Sequence, residues 1–126
     1  MTTLQKVGWG LSGLFALFMV FASALPKLAG MSVATDIMAQ LGWPDAPIFL
    51  IGCLEAGLAI LFLIPQTSVL AAVLLMALLG GALVTNLRGH AELFSHTLFS
   101  IYLGFWMWGG LILRDPRVRA VFPLVR

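Results

Sequence analysis

Long apolar runs broken by short polar or Gly/Pro segments set the pattern of this chain. Four of them approach the roughly 20 residues a helix needs to cross bilayer hydrocarbon: about Val7 to Leu28, Pro47 to Ile64, Thr67 to Leu87 and His96 to Leu113. The pattern predicts an all-α membrane protein, a single-domain four-transmembrane-helix bundle over residues 1–126. Pro65 ends the second span, and Thr67 or Ser68 is available to cap the third. So short a hairpin makes the second and third spans antiparallel neighbours. The longest break, GMSVATDIMAQLGWP, places Val33, Ala34, Ile37, Met38 and Leu41 on one helical face. Ser32 and Thr35 are candidate caps and Gly42 a stop. A short amphipathic helix on the membrane surface is expected there.

Within each span, small and polar residues recur at helical spacing, and such stripes let membrane helices approach closely. They are Ser12, Ala16, Val20, Ser23 and Lys27 in the first span, and Gly52, Glu55, Ala56 and Ala59 in the second. Ala77, Gly81, Thr85 and Arg88 follow in the third, and His96, Ser100 and Gly104 in the fourth. These stripes are the expected interior.

Composition agrees with this reading. Mean hydropathy is +1.06, 61% of residues are hydrophobic and 10% charged, too little charged surface for a water-soluble domain. The net charge of +2 comes without a basic face or aromatic platform for nucleic acid. Lys6 and the tail arginines Arg114, Arg117, Arg119 and Arg126 fall on one side of the four spans, with only Lys27 and Arg88 opposite. Counting basic residues therefore puts both termini in the cytoplasm of a cytoplasmic (inner) membrane. The tail LRDPRVR reads as an anchor to anionic headgroups. Ala22-Ser23-Ala24 imitates a signal-peptidase site, but the apolar run before it is long for a signal and is kept as a span. Cys53 is the only cysteine, so neither an intrachain disulfide nor a dithiol pair can form, and it is expected as apolar filler.

Glu55 is the candidate for chemistry, because an acidic side chain deep in a bilayer costs roughly 3 kcal/mol or more unless it faces the protein with a partner. Side chains tilt toward the N-terminus of their helix. Lys27 and Arg88, ending outward-running helices, lean back into the membrane, while Glu55 and His96, near the start of inward-running ones, lean out. This predicts a polar cluster of Lys27, Glu55 and Arg88 in the outer half, with Ser23, Thr85, Asn86 and His96 nearby. Pro26 takes the usual donor from the carbonyl of Ala22, opening an acceptor near Ser23 and Lys27. The cluster reads either as a structural ion-pair network or as a site for a polar headgroup or proton-coupled redox molecule. His90 and Glu92 read as a solvated loop, and the spacing of the histidines matches no familiar metal-ligand pattern, so no metal is assigned.

FASALPKLAG, IGCLEAGLAILFLIP and AAVLLMALLGGALVTNLRG, with the loop ending LGWPDAP, resemble the DoxX-like family of small four-span membrane proteins over nearly the whole chain. The resemblance implies a four-helix bundle with a polar cluster such as Lys27, Glu55 and Arg88. It also implies an accessory role in a redox or quinone-linked process, with a quinone or other isoprenoid lipid as candidate cofactor. Other relatives imply a non-catalytic assembly factor for a partner membrane protein, in which the cluster is structural. A small transporter ranks lower, since the chain has no internal repeat or broken span. The lipid bilayer is the expected partner, with a partner membrane protein or a homo-oligomer compatible with the small-residue stripes. Whether the protein is an enzyme is left open.

Overall fold

A backbone crossing hydrocarbon has to satisfy its own N–H and C=O groups, so apolar runs of this length fold as helices. The computed structural model, which describes residues 1–126, is all-helical: α1 Thr3–Leu28, α2 Ser32–Gln40, α3 Ile48–Leu63, α4 Ser68–Arg88, α5 Leu93–Arg114 and α6 Pro116–Val121. Helices α1, α4 and α5 are long and apolar enough to cross a membrane, and α3, at 16 residues, is a shorter apolar helix between Pro47 and Pro65. They pack in a ring in chain order, α1 against α3, α3 against α4, α4 against α5 and α5 back against α1. The four-helix membrane bundle expected from the apolar pattern is what the chain forms.

Local chemistry explains the boundaries. Thr2 and Gln5 close a reciprocal capping box at the start of α1, the Gln5 N–H donating to Thr2 Oγ1 at 3.2 Å and the Thr2 N–H to Gln5 Oε1 at 2.9 Å. The amphipathic α2 stops at Gly42, whose φ of +86° suits glycine, while the Trp43 N–H returns to the Met38 carbonyl at 2.8 Å. Neither Ser32 nor Thr35 caps its start: Met31 is the cap residue, and the Thr35 hydroxyl donates to the Ser32 carbonyl. Thr67 also departs from expectation. Its hydroxyl donates backward to the Leu61 carbonyl at 2.7 Å, closing the carbonyl end of α3 instead of capping α4. The hairpin is so short that the last carbonyls of α3 lie nearer than the first N–H groups of α4.

The core is larger in side-chain volume than the small-residue stripes suggest. Phe15, Met19, Phe62, Leu75, Met107 and Leu111 are fully buried at its centre. Phe15 meets the rings of Phe62 and Trp106 edge to face, at 5.6 and 5.7 Å between centroids. Small residues instead mark the α1–α5 crossing. A Cβ on Gly8 would lie 2.7 Å from the Gly110 carbonyl oxygen, and one on Gly110 would lie 2.8 Å from Ser12 Oγ. The stripes expected in α1 and α3 do face inward, with Ser12, Ala16, Gly52, Glu55 and Ala59 buried. That of α4 does not. Ala77, Gly81 and Arg88 are exposed, and the buried face is Ser68, Ala71, Ala72, Leu75 and Leu79. Cys53 is likewise exposed rather than interior filler.

Candidate functional site

The polar site forms where the end of α1 meets the first half of α3. Before Pro26, α1 widens into a π-helical turn over Phe18–Ala24, with the Leu25 N–H donating to the Val20 carbonyl five residues back. A proline ring crowds the carbonyl four residues earlier, and widening the helix is one way to pass it without breaking. The turn presents Ser23 toward the end of the helix. Lys27 Nζ donates to the Ser23 carbonyl at 3.0 Å and to Ser23 Oγ at 3.1 Å. Lys27 therefore bonds the Ser23 carbonyl and not that of Ala22, the acceptor that sequence marks as open.

Opposite stands Glu55. Lys27 Nζ lies 3.1 Å from Glu55 Oε1 and 3.4 Å from Oε2, with the glutamate side chain only 8% exposed and the lysine side chain 18%. Close approach of the two helices makes this reach possible. An added Cβ at Gly52, one turn before Glu55, would come within 3.1 Å of the Ala24 carbonyl oxygen and of Lys27 Cβ. The lysine spends its three donors on Ser23 and Glu55. The carboxylate, with about four lone-pair sites, accepts from no other protein group than Lys27. The site thus pairs a fixed cation with a base holding spare acceptor capacity.

The other residues foreseen for the cluster stay apart from this pair. Arg88 is exposed and makes no ion pair. The Thr85 hydroxyl and the Asn86 amide donate to the Gly81 and Ala82 carbonyls of their own helix, each at 2.8 Å. His96 is exposed, its Nδ1 2.6 Å from Ser95 Oγ, and that hydroxyl also bonds Glu92. The Ser95 hydroxyl and N–H hold the Glu92 carboxyl below the usual carboxylate range. Two connecting segments touch: Leu41 lies so near Gly89 that a Cβ there would come within 2.8 Å of it, docking the end of α2 on the end of α4.

A second polar centre lies at the end of the bundle that holds the termini. Arg114, read from sequence as part of a lipid-anchoring tail, is 5% exposed. Its guanidinium lies 4.3 Å from the Trp9 ring and 4.5 Å from the Phe62 ring, and Nη2 donates to the Phe62 carbonyl. A cation thus closes the carbonyl end of α3, where the helix dipole favours positive charge. Arg119 donates to the Ile112 and Leu113 carbonyls at the end of α5, while the exposed Arg117 pairs with Asp115. Extending the α5 stripe from Gly104 through Met107 and Leu111 by steps of three and four arrives at Arg114, the one signal that could have found it.

The sequence profile of the DoxX-like family matches residues 10–110, a segment that contains both Lys27 and Glu55. No curated protein and no solved structure matches the chain.

Proposed function

This chain belongs to the DoxX-like family, and we propose that it serves as an accessory subunit in a redox or quinone-linked process of the cytoplasmic membrane. Its termini lie in the cytoplasm and its Lys27–Glu55 pocket opens outward. The observation that carries this reading is the Glu55 carboxylate, buried among helices yet engaged by a single protein donor. A cation beside a carboxylate fits a head that presents carbonyl oxygens when oxidised and hydroxyls when reduced. Lys27 would hold the carbonyl by turning toward it a donor now shared with Ser23 or Glu55, and Glu55, freed of that bond, would accept the hydroxyl's hydrogen bond or its proton. A quinone in that place would supply reversible two-electron, two-proton chemistry. The protein's part is to bind, orient and hold one proton at Glu55. Retention through purification tests this. Native mass spectrometry of mildly solubilised protein is expected to find an isoprenoid quinone on the wild type and none on folded Glu55→Gln. Equal retention by both, or absence from both, would remove the reading.

One observation supports a second reading. Lys27 has all its donors engaged within the protein, as a purely structural lock would. The chain is then a non-catalytic assembly factor for a partner membrane protein. In that case Glu55→Gln would lower the yield of a co-purifying partner while no ligand signal changes.

A further inference from the structure

Across the ring from the Lys27–Glu55 pair, helices α4 and α5 part to leave a groove of about 520 Å³. Its walls are almost wholly apolar, and Gly80, Gly104 and Gly109 leave room along it. Gly104 is filled from the side by Met76, whereas a Cβ on Gly80 or Gly109 would meet nothing within 4 Å. The tail residues Phe122 and Pro123 close one end, Phe122 stacking on Trp108 at 4.3 Å between ring centroids. Toward the other end stands Ser100, 7% exposed, whose hydroxyl has no hydrogen-bond partner in the protein. Apart from the indole N–H of Trp108, it is the one polar side-chain group among the residues that line the groove. A buried hydroxyl without a partner is destabilising, and a groove left empty forfeits dispersion contacts along its whole length.

We infer that this groove holds one acyl chain of a glycerolipid, with an ester carbonyl accepting the hydrogen bond of Ser100. Depth supports this occupant. Ser100 is seven residues into α5, in the first turn after a π-helical stretch over Leu93–Thr97, so it lies less than about 10 Å from the helix start, a depth that suits an ester. From there the groove continues past Gly104 and Gly109 to the stacked Trp108–Phe122 pair, a length of largely apolar wall suited to a chain. The volume lies within the range of specific small-ligand pockets, about 300–1,000 Å³. The site is independent of the proposed quinone pocket, since it is built on the other two helices and uses none of its residues.

The glycines make the test clean. A Cβ at Gly80 or Gly109 has open space, so Gly80→Leu and Gly109→Leu are placed to fill the groove, and Gly81→Leu, exposed on the same helix but outside the groove, is the control. The probe is a phosphatidylglycerol carrying a photoactivatable group midway along one acyl chain, in vesicles with the full chain. Labelling is expected to concentrate on residues 76–83 and 100–112, to fall at least five-fold in the double Gly80→Leu, Gly109→Leu variant, and to persist in Gly81→Leu. Ser100→Ala should reduce labelling by an ester lipid but not by its ether analogue. Labelling spread evenly over all lipid-facing helices, or unchanged by the double variant, would overturn the proposal. So would a change from dimer to monomer in the groove-filling variant without loss of lipid, which would make the groove a contact between copies.

Discussion

Lys27 and Glu55 meet at 3.1 Å between the end of α1 and the first half of α3, with Ser23 holding the lysine from its other side. Everything local converges on that contact. Pro26 widens the helix, the widened turn aims Ser23 at the lysine, and Gly52 admits the α1 backbone closely enough for Glu55 to reach it.

Breaking the pair from one side leaves a charge in a poorly solvated place, which costs about 3–5 kcal/mol in buried pairs. Glu55→Leu and Lys27→Met should each lower the thermal midpoint in detergent. The double variant should recover much of the loss, because two apolar side chains strand nothing. Single variants as stable as the wild type would show that the pair is solvated.

Arg114 should matter more to folding than any other arginine. Arg114→Ala removes the contacts to Trp9 and Phe62 together with the hydrogen bond to the Phe62 carbonyl, an expected loss of about 3 kcal/mol. Arg114→Lys keeps the charge but not the planar stack, and should fall between. Arg117→Ala, at an exposed pair with Asp115, should change stability by less than about 1 kcal/mol. Denaturant titration of the three variants would rank them.

The α1–α5 crossing predicts a sharp contrast among glycines. Gly8→Ala places a methyl group against the backbone of Gly110 and Leu113 and should cost about 1–3 kcal/mol. Gly13→Ala, on the same helix with open space beside it, should be neutral or slightly stabilising, since alanine favours helix. Comparison of their melting midpoints checks the crossing geometry directly.

Asp115 supplies a pH dependence outside the spans. The Arg117 guanidinium holds its carboxyl below the ordinary range, partly offset by burial. A depressed folded-state pKa stabilises above the unfolded value, about 3.9, and that contribution is lost as pH falls through the folded one. This pair should therefore contribute evenly from pH 5 to 8 and weaken only below about pH 4. Carboxyl NMR should show Asp115 titrating nearer the ordinary range in Arg117→Ala.

Sequence resolves the spans, the short hairpin, α2 with its Gly42 stop, and the Lys27–Glu55 contact, because each rests on a signal that differs from its surroundings. A glutamate in an apolar run, or a glycine after an amphipathic turn, has few alternatives. The orientation of α4 is different. Its residues are apolar nearly all round, and lipid is as apolar as the core, so hydrophobicity does not say which face is inside. That is why Gly81 and Arg88 face outward while Ala71, Ala72 and Leu75 fill the interior. Arg114 was hidden for another reason. An arginine at the end of a span ordinarily reaches toward water, and contacts distant in sequence, with Trp9 and Phe62, turn it inward.

The most direct test of the proposed role is a thermal melt of purified protein with and without a short-chain, water-soluble quinone, on wild type, Glu55→Gln and the Lys27→Met, Glu55→Leu double variant. Selective binding to the folded state raises the midpoint. A concentration-dependent rise is expected in the wild type and none in either variant. An equal rise in all three, or none in the wild type, would contradict a ligand-engaging Lys27–Glu55 pocket and leave the pair as a structural lock.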